Sequence, residues 1–412
     1  MFERDWETLN EDQRLVVKNI KDSLLVLAPA GTGKTKVIAM RTAYLLNQQV
    51  PPTSILCLTF TNKAAREMEE RIGLYDKHNV RHLTIRTFHS FCYYLINQEK
   101  QNTRLAFPCT IIDESDTQDI LKRIIFALTK QEEKYMGNMT SFIENVKKYR
   151  LNFSFDTELK EERLVKAYLK EYPSKDPIIL QYGARILRLY EKYLKENNCV
   201  DFIDLIIEAT YLLEDPEIRA KWQKRYHYIQ VDEMQDTSTR EYHIIKVLAK
   251  ENHIALYGDF NQTIYEWRGS APQTMIGDYK EIFNPVEITL KTNYRSTQLL
   301  LKAANSFIRN SNLYPSLSVP YAKEIGEPIE VFCGGSQEAE ILMIAKSISE
   351  HYTAEHKQIA ILTRTNSLAK SIYKMLEKKG IPCIRVEDIR LMRTTEVKDL
   401  LAVMSYAINL RN

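Results

Sequence analysis

Residues 24–27, Leu-Leu-Val-Leu, form an apolar run without polar alternation, which predicts a strand buried on both faces. A Pro/Gly turn follows, and helical periodicity then predicts a helix over 34–46. Residues 55–60 (Ile-Leu-Cys-Leu-Thr-Phe) read as a second buried strand, 61–71 as a helix with polar residues at its mouth, and 83–87 as a third strand. This βαβαβ order predicts a parallel sheet with its ligands at the strand C-terminal ends. From 93 to 198 helical periodicity dominates and glycine nearly vanishes, leaving Gly137 and Gly183, so an inserted helical subdomain is expected. Sheet-like patterning returns at 226–231 and at 253–258. Strand, turn and capped helix follow from 288. Apolar stretches at 329–333, 359–364 and 381–386 alternate with helices and predict a second α/β domain, closed by a helix over 396–408.

Composition narrows the class. The 412 residues are too many for one ordinary core, and 44% hydrophobic with 27% charged residues is the balance of a folded chain. The expected division is a sheet domain from 1–92 and 199–289, an inserted helical subdomain at 93–198, and a second domain at 290–412. A net charge of +3 means that any basic surface is local. The six cysteines include no Cys-x-x-Cys pair, which argues against zinc and disulfides and fits a reducing cytoplasm. The acidic N-terminus has no apolar segment of a signal peptide, and no run approaches the roughly eighteen apolar residues of a membrane span.

The chemistry concentrates at 28–36, Ala-Pro-Ala-Gly-Thr-Gly-Lys-Thr-Lys, between the first strand and the first long helix. This is the context of a phosphate-binding loop: glycines turn backbone N–H groups toward an anion, and the helix start adds its positive dipole end. Lys34 is expected to reach the β- and γ-phosphates and Thr35 to hold Mg²⁺, with Ala28, Ala30, Gly31, Thr32, Gly33 and Lys36 completing the nucleotide-binding set. Gln13, behind an Asn10 N-cap, is placed to read an adenine edge. A strand ending in Asp232-Glu233 supplies the other half of an ATPase site, Asp232 for Mg²⁺ and Glu233 to polarise the attacking water. Gln262 is placed to sense the γ-phosphate. The Tyr265, Trp267 and Arg268 cluster is of the kind that stacks single-stranded bases. Phe60 ends its strand beside Thr61, Asn62 and Lys63, polar company that a core position would not need. Core packing is the alternative reading for Phe60 and His89.

Taken together, the motifs Leu9-Asn-Glu-Asp-Gln13, Ala28–Thr35, Leu58–Ala65, Thr87-Phe-His-Ser90, Val231-Asp-Glu-Met-Gln-Asp236, Gly258–Gly269 and Asn293-Tyr-Arg-Ser296 resemble the UvrD/PcrA/Rep family of superfamily 1 DNA helicases. The resemblance implies an α/β fold: a RecA-like phosphate-loop domain carrying the helical insertion, then a partial second RecA-like domain. It also implies ATP and Mg²⁺ as cofactors, Tyr294 stacking on adenine and Arg295 as an arginine finger. Phe60, Asn62, His89, Tyr265, Trp267 and Arg268 would line a single-strand path. Four positions depart from the pattern: Ala28 stands for a glycine, Met234 for phenylalanine, and Phe260-Asn261 for an acidic pair.

The family pattern continues beyond residue 412 into further motifs. The expectation is therefore a truncated chain, or a partner protein that supplies the remainder. The expected function is a 3′→5′ single-stranded DNA translocase and helicase acting on single strands and 3′-tailed duplexes, with no membrane partner. The alternatives are a nucleotide-gated single-strand-binding module with little unwinding, and a phosphate-loop ATPase without a nucleic-acid partner.

Overall fold

A computed structural model describes residues 2–130, 136–150, 160–250, 252–263, 271–309, 319–321, 324–351 and 359–385, with 397, 399–400 and 403–404. The chain divides into two compact units, 1–327 and 328–412.

The first unit opens with α1 (Phe2–Glu7) and α2 (Glu11–Lys18), the latter closed by a capping box between Asn10 and Gln13. Strand β1 (Leu24–Leu27) leads into α3 (Lys34–Asn47), β2 (Ile55–Thr59) into α4 (Asn62–Gly73), and β3 (Thr84–Thr87) into α5 (Phe88–Gln98). The short β4 (Thr110–Ile111) precedes four helices, α6 (Glu114–Thr129), α7 (Met136–Arg150), α8 (Glu161–Glu171) and α9 (Pro177–Glu196), and pairs with β5 (Cys199–Val200) beyond them. These helices enclose a core of their own, including Leu121, Ile143, Leu164 and Ile186. Helices α10 (Phe202–Glu214) and α11 (Pro216–Arg225) return the chain to the sheet, where β6 (Tyr228–Val231), α12 (Thr239–Ala249), β7 (His253–Gly258), α13 (Pro272–Phe283) and β8 (Val286–Thr289) follow.

The main sheet has six strands in the order β3-β2-β6-β7-β1-β8, every neighbouring pair parallel. Alternate side chains feed two cores. Leu25, Leu56, Leu58, Ile229, Val231 and Leu256 pack on one face with residues of α5 and α10–α13, and Leu24, Val26, Ile55, Cys57 and Tyr257 on the other with α2–α4. Burial on both faces is why the strands read as apolar runs. Gln230 is the polar exception inside β6. It is 1% exposed, donates to the Thr42 hydroxyl at 2.7 Å and accepts from the Tyr257 hydroxyl at 2.9 Å, so its amide is satisfied without water.

The inserted helices are tied to α10 by a buried ion cluster. Lys147 of α7, 1% exposed, lies 2.5 Å from Asp201 and 2.7 Å from Asp204, and the Tyr190 hydroxyl donates to Asp201 at 3.0 Å. Past β8 come β9 (Thr292–Asn293), α14 (Gln298–Ile308) and β10 (Val319–Pro320), with β9 and β10 paired in parallel. Residues 290–327, grouped by sequence with the remainder of the chain to 412, thus belong to the first compact unit.

In the second unit, α15 (Gln337–His351) and α16 (Asn366–Lys378) share a small core of Ile341, Ala345, Ile348, Ile372 and Leu376. The strands expected at 329–333, 359–364 and 381–386 do not form among the described residues of those stretches. A strand needs a hydrogen-bonded neighbour, and here side chains such as Val331 (89% exposed) and Leu362 (94%) stand in solvent rather than against a paired sheet. The expected closing helix at 396–408 lies largely outside the described residues.

Candidate nucleotide and nucleic-acid site

The parallel sheet sends the chain segment after each strand to one edge. After β1, the Ala28 N–H donates to the Gly258 carbonyl at 2.9 Å, extending the ladder by one bond before the chain turns through 29–33. The turn is closed from inside by the buried Thr32 hydroxyl, which donates to the Pro29 carbonyl at 2.7 Å. Thr32 therefore shapes the loop with its side chain turned away from the cleft. Gly31 has φ +80°, and a Cβ there would lie 2.8 Å from the Arg295 Cβ, so both backbone conformation and close approach require glycine. Gly33 caps α3 and has no side chain to accept the first-turn N–H groups, which leaves a helix start suited to an anion.

β6 lies two positions from β1 in the sheet, about 10 Å at the usual strand spacing, a distance a lysine and a carboxylate span together. Lys34 Nζ lies 2.6 Å from Glu233 Oε1 and 3.2 Å from Asp232 Oδ1. Burial pulls the Lys34 pKa down, but the two carboxylates outweigh it and hold the ammonium above its ordinary value. For Asp232, burial dominates and raises the carboxyl despite Lys34. Glu233 is also pushed up by burial, yet Lys34 and the hydrogen bonds from Lys34 and Gln235 bring it below the ordinary carboxylate value. Glu233 adopts φ +53°, a left-handed setting rare for a side-chain-bearing residue and costing of order 1–3 kcal/mol. Nearby Asp236 is pushed up to about 6 by burial and the charge of Glu233.

After β7, the Gln262 amide donates to Asp259 Oδ2 at 2.6 Å, and the same oxygen accepts from the Ala30 N–H at 3.3 Å. On the opposite wall, the Asn293 amide donates to the Ala30 carbonyl at 2.6 Å and the Tyr294 N–H to the Gly31 carbonyl at 2.8 Å. The Tyr294 hydroxyl accepts from Asn10 at 2.8 Å, and its ring lies 4.8 Å from that of Tyr321. Gln13 is 3% exposed. Its oxygen accepts from the Asn10 N–H at 3.2 Å and its amide donates to the Thr32 carbonyl at 3.0 Å, leaving one acceptor and one donor position for another group. Lys36 donates to the Thr8 hydroxyl at 2.6 Å.

A cleft of about 630 Å³ is lined by Gln13, Lys34, Thr35, Lys36, Glu233, Gln262, Tyr294 and Arg295, with Asp232 outside its lining. Thr8, Glu67, Arg71, Asp259 and Tyr321 also line it and were not singled out by sequence, nor was Asn293 behind the loop. Asp259 and Asn293 lie inside the Gly258–Gly269 and Asn293–Ser296 motifs, whereas Thr8, Glu67, Arg71 and Tyr321 carry no local pattern that distinguishes them from surface residues.

The nucleic-acid candidates are placed unevenly. Phe60 and Asn62 follow β2, and His89 follows β3, on the same sheet edge as the cleft. The His89 side chain is 40% exposed, 3.9 Å from Glu241 and edge-on to Phe202 at 5.3 Å. Tyr265, Trp267 and Arg268 lie outside the described residues. Two of the departures from the motif pattern are absorbed by packing: Met234 and Phe260 are buried, 1% and 3% exposed, in the same core. Among the described residues no group of three or more His, Cys, Asp or Glu side chains could hold a metal ion, and no helix is long and apolar enough to cross a membrane.

Residues 9–282 match the UvrD/REP helicase N-terminal domain, and residues 288–412 the UvrD-like helicase C-terminal domain. The chain is 35% identical over 409 residues to the ATP-dependent DNA helicase Rep of Buchnera aphidicola, covering 98% of this chain and 61% of that protein. It is 31% identical over 407 residues to the ATP-dependent DNA helicase PcrA of Staphylococcus aureus, covering 97% and 54%. Against PcrA of Staphylococcus epidermidis the identity is 30% over 409 residues, covering 98% and 54%. The chain thus spans about half to three-fifths of the length of these relatives. A cleft lined by Lys34 and Glu233, with Asp232 paired to the same ammonium, and both domain matches in order along nearly the whole chain lead to one assignment: the chain belongs to the UvrD/REP helicase family.

Proposed function

We propose that the chain is the ATP-hydrolysing, strand-gripping portion of a 3′→5′ single-stranded DNA translocase and helicase. The observation that carries this reading is the meeting of Lys34 with Asp232 and Glu233 at the start of a helix whose cap, Gly33, has no side chain to take its first N–H groups. Relatives named as ATP-dependent DNA helicases support the nucleotide and the nucleic-acid partner.

In this reading the first-turn N–H groups of α3 and Lys34 hold the phosphates, and Lys34 leaves its carboxylate partners to do so. Thr35 and Asp232 are the residues that would hold Mg²⁺; one hydroxyl and one carboxylate suit an ion that keeps waters and phosphate oxygens as its remaining ligands. Bound there, Mg²⁺ neutralises phosphate charge. Glu233 accepts the proton of the attacking water, with the Gln235 hydrogen bond still favouring its carboxylate once Lys34 has turned to the phosphates. Gln262 senses the γ-phosphate, Arg295 stabilises the charge that develops on it, and Gln13 and Tyr294 hold the adenine. Phe60, Asn62, His89, Tyr265, Trp267 and Arg268 carry the single strand, shifting it by about one base per cycle through sequence-tolerant stacking. We read 1–92 with 199–289 as the ATP-binding domain, 93–198 as its insertion and 290–412 as part of a second α/β domain.

The test is ATP hydrolysis with and without single-stranded DNA, paired with strand displacement on 3′- and 5′-tailed duplexes. The expected result is hydrolysis stimulated by single strands and displacement from the 3′ tail alone. Turnover indifferent to DNA overturns the coupling, and displacement from the 5′ tail overturns the polarity. Trp267→Ala is expected to weaken single-strand affinity by about 1–3 kcal/mol.

A further inference from the structure

Gln235 is 2% exposed and stands two residues beyond Glu233, yet it belongs to none of the assigned roles. Its side-chain amide is used at both ends. Nε2 donates to Glu233 Oε2 at 2.7 Å, and Oε1 accepts from the Asp259 N–H at 3.2 Å. Only this orientation satisfies both partners, because a carboxylate accepts and a backbone N–H donates. The amide is therefore locked.

Two neighbours show that the site is built around it. A Cβ on Gly258 would fall 2.8 Å from Gln235 Oε1, so the bare backbone at the end of β7 makes room for this side chain. Glu233 holds a left-handed backbone setting that persists only where the surroundings over-determine it, and the Gln235 bond is one such restraint. Beyond Asp259 the connection runs on, through its carboxylate, to the Gln262 amide at 2.6 Å and to the Ala30 N–H of the phosphate loop at 3.3 Å.

We propose that Gln235 is a positioning residue that aims the Glu233 carboxylate and joins it to the loop 259–263, so that a change at Gln262 or the phosphate loop is felt at Glu233. The inference rests on Glu233 being the base of the proposed hydrolysis. It assigns to Gln235 no contact with the nucleotide.

The test compares Gln235→Leu, Gly258→Ala and the double variant. The φ of Gly258 lies outside the left-handed range, so alanine is compatible with its backbone and acts by displacing the Gln235 oxygen. Gln235→Leu should lower kcat about tenfold to a hundredfold, as small misplacements of a reacting group do, with KM for ATP held within about twofold and cooperative unfolding retained. Gly258→Ala should give the same loss alone and add nothing in the Gln235→Leu background. An unchanged kcat, a rise in KM for ATP that accounts for the loss, or additive losses in the double variant overturns the proposal. If the wild-type chain binds ATP without hydrolysing it, the base assignment fails, and a double-mutant cycle of Gln235→Leu with Glu233→Gln in unfolding free energy still decides whether Gln235 holds Glu233: non-additive losses keep the contact and additive ones overturn it.

Discussion

Lys34 and Glu233, from opposite halves of the first unit's sequence, meet at 2.6 Å with Asp232 at 3.2 Å from the same ammonium. The pairing keeps the two carboxylates compensated and holds the ammonium where a phosphate would draw it. Lys34→Ala removes the cation and leaves the buried Asp232 with like charge beside it. ATP hydrolysis should disappear while single-strand binding, measured by anisotropy, is largely retained. The unfolding free energy should fall by about 2 kcal/mol, less than for a fully enclosed pair because the cleft admits water. Retained turnover would remove Lys34 from the reaction.

Gly31 couples the phosphate loop to the 293–295 segment. Gly31→Ala must carry a side chain at φ +80° and place its Cβ 2.8 Å from the Asn293 amide and the Arg295 Cβ. The left-handed setting alone costs about 1–2 kcal/mol. Nucleotide affinity, read by titration with a fluorescent ADP analogue, should fall at least about tenfold, which is 1.4 kcal/mol. Unaltered affinity would mean that the 293–295 segment does not help to form the nucleotide cleft.

Lys147 compensates two carboxylates between α7 and α10. Burial raises Asp204 to about 6, with the Asp201 charge adding to the rise that Lys147 opposes, whereas Lys147 holds Asp201 below its ordinary value. Lys147 itself lies above the ordinary lysine value, so its contribution is complete below 10.5 and is lost only at higher pH. Lys147→Met should destabilise the chain by about 3–5 kcal/mol at pH 8 in urea titrations. Without the cation both carboxylates take up protons more readily in the folded state than in the unfolded chain, so the deficit should shrink from about pH 8 to pH 5. A deficit constant with pH would contradict the uncompensated pair.

Asp236 has a buried oxygen, Oδ1, without a hydrogen-bond partner among the described residues, and its carboxyl sits at about 6. A folded value above the ordinary 3.8 means that the ionised form costs stability, fully above pH 6 and progressively less toward 3.8. Asp236→Asn should therefore raise the unfolding free energy near pH 7.5, read in urea titrations, by less than about 1 kcal/mol because the group is half open to solvent. Near pH 5 most of the gain should be gone. A gain that persists there would assign the effect to something other than the charge.

The strands that hold the site were legible because burial on both faces leaves apolar runs, as at 24–27 and 55–59. The phosphate loop was legible because its glycines and lysine act within one turn. Gln235 was not singled out. Its effect depends on Gly258 and Asp259, which are distant in the chain, and no local periodicity marks a glutamine whose two ends are both engaged. Glu67, Arg71 and Tyr321 were silent for the same reason. The strands expected at 329–333 and 359–364 show the converse, since periodicity reports a tendency to be extended and apolar but supplies no neighbour to pair with.

By itself, then, the sequence determined the strand–loop–helix order of the first unit, the residue types available to a triphosphate, and the family. What only the tertiary structure decided is which of those groups touch. The order β3-β2-β6-β7-β1-β8 sets Asp232 and Glu233 within reach of Lys34 and sets Phe60 and His89 on the same edge. The physical reason is that hydrophobic patterning acts within a segment, whereas an ion pair or a hydrogen bond exists only at a few ångströms between segments that the fold brings together.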